Sequence, residues 1–276
     1  MTLLARVGLI DLTGTIGPDE LTRAAAAINV QVQRDLCQFW PVSATVSALP
    51  NDGQVPAGIW PVYIVPQLSG PSGFHQSQHN QPYAEVGWGP GWTLAASHET
   101  LEMLVDPSGN RLVASSAIEV IGGQVQDAAG KFEYLVEICD PSESADNAYL
   151  IDDVVVSDFY TPRFFDPSSG AGTRYSFTGA ITAPRQVLKG GYLSWWNPEQ
   201  GALQQLQHLN PALPPFIATI GLQPPGTSLR EFVNAKAATS SILSATSEDH
   251  PILRRSRTRG EHLRKAAKKR AELFKQ

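Results

Sequence analysis

Residues 5–13 run Ala-Arg-Val-Gly-Leu-Ile-Asp-Leu-Thr, a nearly continuous apolar stretch that predicts a buried strand. Gly17-Pro18-Asp19-Glu20 then opens a helix, with two acids in the first turn where the helix dipole favours them. Leu21, Ala24, Ala25, Ile28, Val32 and Leu36 recur at helical spacing, so this helix is expected to reach Phe39 with one core-facing stripe. Strands are predicted over 44–49 and 58–65, separated by the turn Pro50-Asn51-Asp52-Gly53, with a short further strand over 83–88. A second helix is expected over 92–105. At about 100° per residue its Leu94, Ser97, Leu101, Leu104 and Val105 share one side and His98, Glu102 and Asp106 the adjoining sector, which predicts a helix buried on one side and lining a cleft on the next. Beyond it come strand-like runs at 112–121, 132–138, 154–159 and 192–196, broken by Gly, Pro and Asn, with no internal repeat.

The chemistry concentrates on the second helix, in Ser97-His98-Glu99-Thr100-Leu101-Glu102-Met103-Leu104-Val105-Asp106-Pro107. Residues four apart share a helix face, so His98 and Glu102 can address one ion while Glu99 sits one step around. A catalytic zinc takes three protein ligands and leaves a fourth position for water, so a third ligand is needed from elsewhere. Three sources compete. Tyr134 to Pro141 is an apolar run that ends in carboxylates, offering Glu137 first and Asp140 second. Asp106 lies two turns after His98, although Asp-Pro before Ser-Gly-Asn is also ordinary turn chemistry. His75 and His79 lie in the segment 73–79, read as a loop before the short strand.

This H-E-x-x-E run resembles the H-E-x-x-H helix of zincin metallopeptidases with its second histidine replaced by Glu102. The order strand, helix, strand, strand, short strand, helix over 5–106 is also similar to theirs. The resemblance implies an α+β fold: a mixed twisted sheet over an active-site helix, followed by a strand-rich second half. It implies a zinc peptidase that hydrolyses a peptide bond through a metal-activated water, with His98 and Glu102 as ligands and Glu99 as general base. Tyr160 would donate to a tetrahedral oxyanion, with a packing tyrosine as the plainer alternative. One imidazole and two carboxylates nearly cancel the charge of a divalent ion, so bound water is less acidified than at a three-histidine site, and manganese or calcium become more acceptable than usual. The rival expectation is an inactive scaffold of the same shape that acts by binding a partner.

Composition refines this picture. With 276 residues, 42% of them apolar, the chain can bury a large core. The domain plan is a main domain over 1–210, a Pro-, Gly- and Ser-rich linker over 211–250, and a basic, flexible or helical tail over 251–276 without a substantial apolar face. Residues 254–276 carry ten Lys or Arg against two acids, which leaves −13 on the remainder. The tail is therefore suited to an acidic partner, a nucleic acid or the body itself. Two cysteines, Cys37 and Cys139, give no disulfide framework. No stretch approaches the roughly 18 apolar residues of a membrane span and no standard export signal opens the chain, so a soluble, cytoplasmic protein is expected.

Overall fold

The first sheet has the strand order β2-β1-β3-β5-β4, built from β1 (Leu4–Asp11), β2 (Ser43–Leu49), β3 (Ile59–Val65), β4 (Gly73–Gln78) and β5 (Gln81–Gly87) in a computed structural model. The structure describes residues 4–68, 72–168, 170–210, 212–239 and 250–273. Pairing is parallel except for the edge strand β4, which runs antiparallel to β5. β4 and β5 are joined through His79 and Asn80, both at positive φ (52° and 62°), the conformation of a two-residue hairpin turn. The segment 73–79, expected to be a loop, is therefore a strand and its turn.

Cross-strand register fixes what each face carries. Ala48, Leu9, Val62, Ala84 and His75 stand opposite one another in a row across the five strands. Leu9, Val62, Ala84 and His75 are each 0% exposed, so this row lies on the covered face. Two helices cover it: α1 (Pro18–Val30) packs on β1 and β2, and α2 (Trp92–Val105) packs on β3, β4 and β5. α1 winds on through a wider turn at Gln31–Asp35 and a tight one at Leu36–Gln38, close to the predicted end. The wider turn brings Gln31 inward, where its Oε1 accepts from Ser97 Oγ (2.7 Å) and its Nε2 donates to the Ser157 carbonyl (2.8 Å). Ser157 N–H donates in turn to Ser97 Oγ (2.9 Å), so a closed polar bridge locks α1, α2 and the chain after 156 together.

All fourteen residues of α2 are buried. The predicted cleft-lining face is therefore covered, because β9 (Val154–Val156) and the segment after Leu135 pack where solvent was expected. The second half forms an antiparallel sheet ordered β12-β11-β10-β7-β6, from β6 (Leu112–Ile121), β7 (Gln124–Leu135), β10 (Tyr192–Asn197), β11 (Ala202–Gln207) and β12 (Phe216–Gly221). A small hairpin pairs β8 (Tyr149–Ile151) with β9. The architecture is α+β, and one hydrophobic cluster runs from Leu9 and Val62 through Leu101 and Met103 to Tyr134, Phe159 and Trp195. The stretch read as a linker supplies β12 and α3 (Leu229–Thr239). Leu229, Phe232 and Val233 of α3 form a satellite core with Leu135 and Leu203.

The basic tail folds back as α4 (Pro251–Leu273) on the acidic face of α1. Arg264 pairs with Glu20 (2.6 Å), Arg270 with Asp19, and Arg255 Nε donates to Asp153 (2.8 Å). Of the destinations the sequence left open, this conformation takes the body itself. The tail also has an apolar foothold that its composition concealed, since Leu253 is buried with Leu94, Ala145 and Val155. Among the described residues no helix is long and apolar enough to cross a membrane. Truncating this foothold should undock the helix. Leu253→Ala is expected to weaken docking by about 2–5 kcal/mol, read as loss of hydrogen-exchange protection over 251–273 while protection of α2 is kept.

Candidate metal centre

α2 presents His98, Glu99 and Glu102 toward β4 and toward the segment that leaves β7. That segment, Val136-Glu137-Ile138-Cys139-Asp140, is buried throughout and ends in a single tight turn at Asp140–Ser142. Cys139 N–H donates to Glu102 Oε1 (3.0 Å), which fixes the segment against the helix and turns Glu102 Oε2 inward. His98 Nε2 lies 3.2 Å from Glu102 Oε2 and 3.2 Å from Asp140 Oδ1. Three ligand atoms at about 2.0–2.1 Å from a tetrahedral ion stand about 3.3 Å apart, so both separations match the edges of such a site.

His75 comes from the opposite side. Its Nδ1 hydrogen-bonds to Glu99 Oε2 (3.3 Å) and lies 3.7 Å from Glu102 Oε2, while its Nε2 lies 3.8 Å from Glu137 Oε2. The ligand-type atoms of His75, Glu99 and Glu102 fall within 4.8 Å of one another, as do those of Glu102, Glu137 and Asp140. Gly73 makes this approach feasible, because a Cβ there would stand 2.8 Å from Glu99 Cγ. The unpartnered atoms converge on the same place: Glu102 Oε2, Asp140 Oδ1, both Glu137 oxygens and His75 Nε2 are buried without a hydrogen bond. The donor set and its orphaned oxygens fit a divalent cation.

Of the other sequence candidates, Asp106 and His79 lie outside this convergence and Tyr160 borders it. Asp106 closes the turn after α2, where its Oδ2 accepts from Arg111 N–H (2.7 Å) and its Oδ1 from Ser108 Oγ (3.2 Å). That is the turn chemistry foreseen as its alternative role. His79 is exposed in the β4–β5 turn. Tyr160 runs beside the carboxylate segment, with its N–H donating to Ile138 O (2.7 Å) and its ring stacked on Phe164 (4.3 Å between centroids). Its hydroxyl is buried without a partner, and burial together with the charge of Glu137 pushes it well above the ordinary phenol range. Cys139 is a buried free thiol that burial and Glu102 keep protonated, which leaves no nucleophile there.

The sequence reading missed Glu143, a carboxylate oxygen of which lies within 4.8 Å of ligand atoms of His98 and Asp140, and it missed Arg230. Arg230 reaches the centre from α3, with Nη1 donating to Asp140 Oδ2 (2.8 Å) and to Tyr192 OH (3.1 Å). The signal was present in Ser228-Leu229-Arg230-Glu231. Glu231 N–H donates to Ser228 Oγ (3.0 Å) and Ser228 N–H to Glu231 Oε2 (3.4 Å), a capping box followed by apolar residues at helical spacing.

Electrostatics divide the carboxylates. Burial raises Glu137 and Asp140 above their ordinary range, and neighbouring carboxylates raise them further against the opposing charge of Arg230. Glu143, beside Asp140, is pushed up to about 8 by burial and then by Asp140. Burial would also raise Glu102, but the charges of His98 and Arg230 outweigh it and hold this carboxylate well below its usual value. Burial would lower His98, yet Glu102 and Asp140 keep its imidazolium and raise it well above the ordinary value.

No known protein family, curated protein or solved structure matches this chain, so its chemistry is argued from its own geometry.

A group whose folded pKa exceeds its unfolded value binds more protons when folded, so its stability contribution falls as pH rises through the interval. Glu143 and His98 both shift in that direction. Glu102 acts oppositely, and only below its ordinary value. The metal-free protein is therefore expected to lose thermal stability as pH rises from 4.5 through about 8, and a bound divalent ion should flatten that slope. Calorimetry with and without chelator measures it, and a Tm that climbs across this window contradicts the assignment.

Proposed function

We propose that this protein is a zincin-like metallopeptidase that holds a divalent ion, zinc first, through His98, Glu102 and Asp140. The carrying observation is the pair of 3.2 Å separations from His98 Nε2 to Glu102 Oε2 and to Asp140 Oδ1, with both oxygens buried and without a hydrogen bond. Asp140 takes precedence over Glu137 because its oxygen faces His98, whereas Glu137 faces His75. When bound, such an ion supplies Lewis-acid polarisation of a peptide carbonyl and lowers the pKa of water.

The chain's own residues divide the remaining work. A Glu99 carboxylate oxygen lies within 4.8 Å of ligand atoms of Glu102 and His75, placing a carboxylate beside the ligand set where it can accept a proton as general base. His75 holds Glu99 by its Nδ1, so the base has one fixed orientation. β4 is the sheet edge nearest this base, the position from which an extended peptide can be aligned by backbone pairing. Peptides or proteins are thus the proposed substrates, in a cytoplasmic setting that suits two free thiols.

A second reading, an inactive scaffold holding a structural ion, is favoured by the depth of the site. His98 is the most exposed of the three proposed ligands, at 7%. The two readings separate on Glu99. Purified protein should contain one zinc per chain, and His98→Ala or Glu102→Ala should lose it. Glu99→Gln should keep the metal and lower peptide cleavage by at least about a hundredfold. A folded native chain without stoichiometric metal overturns the peptidase reading; metal with no cleavage in the native chain selects the scaffold.

A further inference from the structure

Arg230 is 2% exposed and lies deeper than most arginines, which seldom leave water without an exact set of partners. Its backbone is anchored before its side chain begins. Arg230 N–H donates to Gly109 O (3.0 Å), and the preceding Leu229 N–H donates to Asn110 Oδ1 (2.9 Å). Gly109, at φ 63°, leaves no room for a Cβ, which would stand 2.7 Å from Arg230 Cβ. The satellite core of Leu229, Phe232 and Val233 holds the rest of the first turns. The guanidinium therefore arrives at the carboxylates with little freedom left to lose.

Which oxygens it takes decides its role. A competitor for the cation would hydrogen-bond the inward oxygens, whereas the one carboxylate oxygen that Arg230 hydrogen-bonds is Asp140 Oδ2. Its Nη1 binds Asp140 Oδ2 (2.8 Å), leaving Asp140 Oδ1 turned to His98 without a hydrogen bond. Nη2 stands 3.5 Å from Glu102 Oε2, and Nη1 3.7 Å from Glu137 Oε2, too far to satisfy either. Charge leads to the same conclusion. Glu99, Glu102, Glu137 and Asp140 bring four buried carboxylates together, and once all four are ionised one divalent ion offsets only half of their combined charge. A fixed monovalent cation beside them complements such an ion.

We propose that Arg230 is the positioning clamp of this centre: it grips Asp140 by Oδ2 so that Oδ1 stays aimed beside His98, and its permanent charge keeps the crowded carboxylates together. The inference rests on the metal reading given above and adds to it a residue from outside the H-E-x-x-E helix and the strand end. Tyr192, whose hydroxyl takes the same Nη1 (3.1 Å), completes the grip. A lysine keeps the charge but has a single nitrogen, so it cannot hold Asp140 and Tyr192 as Nη1 does and also set a second nitrogen beside Glu102 as Nη2 does.

The test is zinc titration of the full chain against a competing zinc dye, with metal-free melting curves to establish folding. Arg230→Gln should weaken zinc binding about 10- to 100-fold, the usual effect of removing a residue that orients a metal ligand. The visible spectrum of the Co2+-loaded variant should shift as Asp140 loosens, a change that lost stability alone would not produce. Arg230→Lys should fall between the two, and Tyr192→Phe should give a smaller loss in the same direction. Zinc bound by Arg230→Gln as tightly as by the native chain, or more tightly, overturns the clamp and leaves the metal reading standing. If Arg230→Gln does not fold, unchanged affinity in both Arg230→Lys and Tyr192→Phe overturns it equally. No zinc binding by the folded native chain overturns both proposals.

Discussion

Cys139 N–H donates to Glu102 Oε1 at 3.0 Å inside the protein, and the carboxylate cluster depends on that bond. It joins the middle of the Glu137–Asp140 segment to the middle of α2, so the side chains on either side of Cys139 face the helix that carries His98. It also settles how Glu102 is used. One oxygen is tied to the backbone and the other is left free, facing His98. An imidazole nitrogen has one lone pair and could not serve both directions at once. Asp140 repeats the arrangement, with Oδ2 tied to Arg230 and Oδ1 free. A carboxylate at 102 is therefore both the fastener of the segment and a group facing the centre.

Keeping these groups aligned requires a helix that cannot shift, and α2 is confined on every side. The sheet row through Ala84 and Val86 lies against it, β9 lies across it, and the Gln31–Ser97–Ser157 bridge fixes it to α1. The bridge is fully satisfied, so it adds rigidity without the cost of an unpaired buried polar group. His75 belongs to the same confinement. Its direction follows from register alone, since it stands opposite Ala84 on the covered face of the sheet.

The parts legible in sequence were those with strong local periodicity. The first strand, α1, α2 within its predicted bounds, and β6, the end of β7, β9 and β10 follow from apolar spacing, whereas β8, β11 and β12 were not foreseen. Glu137 and Asp140 were legible as a strand end rich in carboxylates. β4 was not, because Gly-Phe-His-Gln-Ser-Gln has no apolar alternation and its turn uses His79-Asn80 rather than an Asn-Gly pair. The burial of α2 on all faces was hidden by its polar residues, which read as a solvent sector when their true neighbours are distant in sequence. Arg230 sits ninety residues beyond Asp140, and nothing local announces such a contact. The capping box at Ser228 was readable, but proline and glycine around it made the stretch look like a linker.

The orphaned atoms bear on what the cluster is for. A buried polar atom without a partner costs about 1–3 kcal/mol, and here Glu102 Oε2, Asp140 Oδ1, both Glu137 oxygens and His75 Nε2 fall in one place. Protons are one remedy, and burial does favour them on Glu137 and Asp140. A proton on Glu137 lies within hydrogen-bond reach of Glu102, whose own charge is held by His98 and Arg230. A single cation beside His98 would face Glu102 and Asp140 and require that His98 and Asp140 give up their protons. A proton-filled cluster would need no fixed orientation of Asp140 Oδ1, whereas a coordinated ion would. The rigid delivery of Arg230, the Cys139 N–H hydrogen bond to Glu102 and the closed bridge behind Ser97 all supply orientation, which a coordinated ion would use and a buried acidic pocket would not need.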